Sequence, residues 1–174
     1  ALADAVVLGL AARVAPADAE LVAVCRSTVR QHATTALDHA TVVVGSDHLA
    51  GVTDVLDVIE ERLAPAAPGA DGHDRRLVAL FDDAAHTRRR LLLEPAGEDL
   101  ADRFDRLLVS AAGSNDVDVI AIVHDADDAG PIAEVAASDR MRTLTAHAGN
   151  INGSSAPVKG RVTLHPGGAA VQLI

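Results

Sequence analysis

The sequence predicts an α/β fold: N-terminal helices, then a mixed, partly parallel sheet with βα units and a C-terminal β-hairpin, all in one domain spanning residues 1–174. Three observations carry this. TVVVGSD (41–47) is a β-branched run that breaks at Gly45. It passes directly into Val52, Val55, Leu56, Ile59 and Leu63, which are spaced for one face of a helix. A second run, Val119 to Val123, is apolar on both faces, the mark of a strand covered on both sides in a parallel sheet. The chain ends on KGRVTLH (159–165), Pro166-Gly167-Gly168 and AAVQLI (169–174), two strand patterns around a turn.

Taken in order, Leu2, Val6, Val7, Leu10 and Val14 follow helical spacing over 2–14. Pro16 breaks that run and suits the first turn of a new helix. Leu21, Val24, Cys25, Thr28, His32, Ala36 and Leu37 continue at helical spacing, which favours one long helix over 16–39. The rival reading makes LVAVC (21–25) a strand and starts a helix at Ser27. After the strand at 41–47, Ser46 or Asp47 is expected to cap the helix that follows. APAAPGADGHD (64–74) reads as a mobile Pro/Gly/Ala loop inside the domain. RLVALF (76–81) and RLLLE (90–94) read as a hairpin, with Arg76 opposite Glu94 and Asp82/Asp83 opposite Arg89/Arg90. EDLADRFDRLLVSAAG (98–113) is a helix with Leu100, Phe104, Leu107 and Leu108 on one face and Gly113 as its stop. VDVIAIVH (117–124) is expected at the centre of the sheet. A short helix from Pro131 to about Ser138, a strand at 141–147 and a polar loop at 148–157 complete the chain.

Composition narrows function by exclusion. The 174 residues suffice for one core, and 49% are hydrophobic, which argues against disorder. Trp and Tyr are absent and Phe81 and Phe104 are the only Phe, so the core must be built from small aliphatic side chains. A formal charge of −10 repels phosphate backbones and anionic lipid, so neither general nucleic-acid binding nor membrane insertion is expected. The apolar run AVVLGLAA (5–12) is far too short to span a bilayer. These features favour a soluble protein, cytoplasmic or in an assembled particle. A start at Ala1, with the sole Met at 141, suggests a removed initiator or a trimmed terminus. Cys25 is the lone cysteine, which rules out an intramolecular disulfide and a cysteine-built zinc site. Its place on an apolar face marks it as an inert core thiol.

The residues with most chemical promise sit where strands end. If the strands entering Gly45 and His124 lie side by side and parallel in the interior, their carboxyl ends bring Ser46, Asp47, His48, His124, Asp125, Asp127 and Asp128 to one edge, where α/β sheets bind ligands. Carboxylates with imidazoles suit Mg²⁺, Mn²⁺ or Zn²⁺. The candidate metal ligands are Asp47, His48, His124, Asp125 and Asp128. The competing reading makes these carboxylates helix caps and solvated turns. SDHLAG (46–51) resembles the Asp-x-His-x-x-Gly signature of cobalamin-binding domains at His48 and Gly51. Ser46 stands where the leading Asp would be, the match covers six residues, and no second motif joins it, so no cofactor is carried over. Gly-x-Gly-x-x-Gly, Gly-Lys-Ser/Thr and Gly-x-Ser-x-Gly are all absent. AGNINGSSAP could form an anion nest but reads as a surface loop. Arg88-Arg89-Arg90 could hold an anion, with Asp82, Asp83 and Glu94 as local neutralisers.

The apolar end Val171-Gln172-Leu173-Ile174 must pack on its own sheet or on another subunit, since an exposed apolar edge aggregates. Val171, Leu173 and Ile174 are therefore candidate interface residues, with self-association or a protein partner as the expected contact. The reading that results is a non-catalytic structural or interaction subunit of a homo-oligomer or larger assembly, for example a particle or tail component. The alternative is a small metal-dependent enzyme or ligand-binding domain using the Asp/His cluster, with a divalent metal as its only implied cofactor.

Overall fold

The protein is described by a computed structural model covering residues 2–65, 74–123, 143–146, 161–165 and 169–172. It is an α/β protein whose chain divides into two compact units, Ala1–Ala133 and Glu134–Ile174. The first holds α1 (Leu2–Arg13), β1 (Ala19–Cys25), α2 (Thr28–Thr35), β2 (Ala40–Gly45), α3 (Leu49–Leu63), β3 (Arg76–Phe81), α4 (Ala84–Leu92), α5 (Gly97–Ala111) and β4 (Val117–Ala121). Its four strands are all parallel, in the order β2-β1-β3-β4.

Residues 16–39 do not form one helix. LVAVC belongs to β1, and α2 begins after Ser27, as in the rival reading. Val22, Ala23 and Val24 are all fully buried, because β1 lies between β2 and β3 with both faces covered. An unbroken apolar run is what such a strand requires. The positions at helical spacing were a subset of that run. A helix there would have turned Val22 and Ala23 toward its polar side.

The expected hairpin at 76–94 is also absent. RLVALF is β3, but RLLLE closes α4. The helix starts because Asp83 Oδ1 accepts the amide of His86 at 2.9 Å, an N-cap that stabilises it by about 1 kcal/mol. Arg89 and Arg90 in the last turn complement the helix dipole. Arg76 pairs with Asp118 across β3 and β4 rather than with Glu94.

The two faces of the sheet have separate cores. On one, Val7 packs with Ala19, Leu21, Ala23, Cys25, Val78, Leu80 and Ile122, joined by Leu10 and Val14. Thr34 of α2 meets Cys25 on this side. Buried His39 donates from Nε2 to Val14 O at 2.8 Å, fastening the end of α1 to the start of β2. On the other face, α3 and α5 bury Val52, Val55, Leu56 and Ile59, and Phe104, Leu107 and Leu108. The rings of Phe81 and Phe104 meet edge to face, 5.0 Å between centroids at 88°.

β4, expected at the centre, lies at the edge of the sheet, and β1 and β3 hold the middle. Its apolar run is covered only in part: Val117 and Ile122 are buried, while Val119, Ile120 and Ala121 are half-buried. Ile122 extends that strand, donating to Phe81 O at 2.9 Å, and is buried in the α1-side core.

The second unit contains β5 (Thr143–Ala146), β6 (Arg161–His165) and β7 (Ala169–Gln172), antiparallel in the order β5-β6-β7. The C-terminal hairpin is present, with Arg161 opposite Gln172 and Leu164 opposite Ala169. The helix expected from Pro131 and the loop at 148–157 lie outside the described residues, as does most of the loop at 64–74. Among the described residues no helix is long and apolar enough to cross a membrane.

Candidate functional site at the carboxyl edge of the parallel sheet

Because the four strands run the same way, their carboxyl ends share one edge. β1 leads through α2, on the α1 face, to β2. β2 leads through α3, on the opposite face, back across to β3. The connections therefore part between the carboxyl ends of β1 and β3, the position where open α/β sheets bind ligands.

That crevice is filled by four charged side chains. Asp82 and Asp83 follow β3 and are 1% and 3% exposed. Asp82 accepts the Arg26 amide at 3.3 Å and forms an ion pair with Arg30. Asp83 Oδ2 lies 2.7 Å from Arg26 Nη1, while Oδ1 is committed to the α4 cap. Arg30 also reaches Asp4 Oδ1 at 2.9 Å. The hydrogen bond with Asp82 pushes the Arg30 guanidinium further above its already high value, so it is a permanent cation. The three carboxylates of Asp4, Asp82 and Asp83 share the two guanidiniums. A proton shuttle or a metal site here would first have to displace the arginines.

Sequence reasoning missed this quartet because it assigned Asp82 and Asp83 to hairpin arginines and buried Arg26 and Arg30 inside a long helix. Arg26 stands just before the Ser27 N-cap and Arg30 in the first turn of α2, so both depend on where that helix starts.

Of the expected metal ligands, Asp47 and His48 lie at the carboxyl end of β2. His48, rather than Ser46 or Asp47, is the N-cap of α3: its Nδ1 accepts the Gly51 amide at 3.2 Å. Gly51 is required there. A Cβ would stand 2.5 Å from His48 Nδ1 and 2.7 Å from Val44 Cγ1. Asp47 is largely exposed, with Oδ1 3.4 Å from Arg90 Nε and 3.9 Å from His86 Nε2. Arg90 thus competes with any cation for that carboxylate. His124, Asp125, Asp127 and Asp128 lie outside the described residues. The strands entering Gly45 and His124 are parallel but not neighbours. β1 and β3 separate them, which puts their ends about 14 Å apart. Among the described residues no group of three or more His, Cys, Asp or Glu is placed to hold a metal.

Cys25, at the end of β1, is 1% exposed, and burial pushes its thiol from 9.0 up to about 11. Thiol reagents at pH 8 are expected to label it only on unfolding, with Ellman's reagent as the check. Fast labelling of the native protein would contradict its burial. The same shift makes stability depend on pH. Between 9 and 11 the unfolded thiol loses a proton that the folded thiol keeps, so this group's contribution to stability falls as pH rises through that window.

Of the interface candidates, Val171 lies in β7, opposite Val162 of β6. Leu173 and Ile174 lie outside the described residues. Comparison of the chain with protein families, with characterised proteins and with solved structures gives no match.

Proposed function

We propose that this protein is a non-catalytic structural or interaction subunit of a homo-oligomer or larger assembly, of the kind that builds a particle or tail. The observation that carries this reading is the closed crevice between β1 and β3. Where an α/β domain would hold a substrate, Asp82 and Asp83 are buried against Arg26 and Arg30. General acid–base work needs a group free to exchange protons near neutral pH. A carboxylate held by a guanidinium is a poor one.

Two further features support self-association. Val29, Leu93, Leu8 and Val109 are exposed large apolar side chains. Among the described residues β7 pairs only with β6, and we assign its other edge, on the strand carrying Val171, to strand addition. Light scattering on the full chain is expected to give a mass above that of a monomer. Val171→Lys is expected to lower that mass while circular dichroism stays unchanged. A monomeric mass at high protein concentration would overturn the proposal.

A further inference from the structure

We infer a second feature of the carboxyl edge, separate from the closed crevice: a site for a phosphate group between the first turn of α3 and the end of α4. It does not depend on the assembly reading.

The inference starts from a polar group that the fold leaves without a partner. Ser46 is 2% exposed, and its Oγ makes no hydrogen bond. A buried hydroxyl without a partner is unfavourable, and a ligand able to accept its proton would relieve that. Ser46 continues the β2 ladder by donating its amide to Cys25 O at 2.9 Å. Ser46 directly follows β2, and carrying the strand's alternation one residue beyond Gly45 puts it on the same side as Val44. Val44 Cγ1 lies directly under the first turn of α3, where it would meet a Cβ on Gly51. Ser46 Oγ is therefore turned toward the N-terminus of α3.

That terminus is suited to an anion. α3 is 15 residues long and has no acidic residue in its first turn. His48 uses the Gly51 amide, leaving those of Leu49 and Ala50 as donors pointing out of the helix. Arg90 approaches from α4. Its Nε is buried and makes no hydrogen bond, although Asp47 Oδ1 lies 3.4 Å away. The Asp47 side chain is 80% exposed. It forms a long ion pair with the guanidinium and faces water. A phosphate group in its place would accept from Arg90, from Ser46 and from the α3 amides together. A guanidinium fork matches phosphate oxygens well.

The test titrates the full chain with sodium phosphate against sodium chloride of equal ionic strength, followed by calorimetry and amide NMR. Saturable one-to-one binding is expected, with the largest amide shifts at Leu49 and Ala50. Arg90→Gln and Ser46→Ala are each expected to weaken binding by about tenfold or more, the effect of losing a charge-assisted or buried hydrogen bond. Asp47→Asn is expected to tighten it, by removing the competing carboxylate. Ser46→Ala should not lower the melting temperature, because the hydroxyl has no partner to lose. If Arg90→Gln does not fold, Arg90→Lys, which keeps the charge and loses the fork, takes its place. A second arm uses glycerol phosphate. Tighter binding of the ester points to phosphorylated small molecules, and tighter binding of inorganic phosphate points to the free anion. Absence of saturation, unchanged affinity in both the Arg90 and Ser46 variants, or shifts confined to other segments would overturn the site.

Discussion

Asp82→Ala is expected to lower the unfolding free energy by about 3 kcal/mol, read as a drop in the urea midpoint. The removed carboxylate is 1% exposed, and it answers both the Arg30 guanidinium and the Arg26 amide. Removing one partner of a buried pair typically costs about 3–5 kcal/mol, because the other charge is left without compensation. The lower end applies here, since Arg30 keeps Asp4 and is 22% exposed, which lets water reach it. The same physics predicts a rescue. Asp82→Leu combined with Arg30→Met replaces both charges by apolar groups of similar volume and should recover most of the loss. A single variant as stable as the parent would mean that the quartet does not hold the crevice closed, and the case for a non-catalytic domain would weaken with it.

Phe104→Ala is expected to cost about 3–5 kcal/mol, the range for truncating a large buried side chain and leaving a cavity. Phe104 is fully buried on α5 and meets Phe81 of β3 edge to face. These two rings are the only Phe, Tyr or Trp side chains in the chain. Phe104→Leu keeps most of the volume and should cost much less, so the difference between the two variants measures the cavity. Equal, small losses in both would show that α5 does not anchor the sheet through this pair.

Periodicity revealed those elements whose signal is local. α3 and α5 each need one covered stripe, and Val52, Val55, Leu56 and Ile59, like Phe104, Leu107 and Leu108, supply it at the right spacing. β2 is marked by its three valines, and the final hairpin by the turn that divides two strand patterns. β1 was misread because a strand covered on both faces has no alternation to display. α4 was misread because Asp83 does two things at once. It caps a helix and forms an ion pair with a distant Arg26, while the arginines that follow it suggested a hairpin partner.

The candidate site was only half legible for a related reason. The strand ends were recognisable as places where polar groups gather, and Asp47 and His48 are indeed at the carboxyl edge. Which charges meet there depends on strand order. Placing β1 beside β3 brings residues 56 and 57 apart in sequence into contact, as Arg26 with Asp82 and Asp83.

The amino-acid sequence by itself determined the class of fold, the small-aliphatic core, the acidic charge and the α3 and α5 stripes, since each follows from residue type and spacing within about four turns of chain. Only the tertiary structure decided the order β2-β1-β3-β4, and with it the arginines that close the crevice and the unpartnered hydroxyl at Ser46. Those outcomes depend on which faces become buried against one another. That is a property of long-range packing, which no local pattern of side chains encodes.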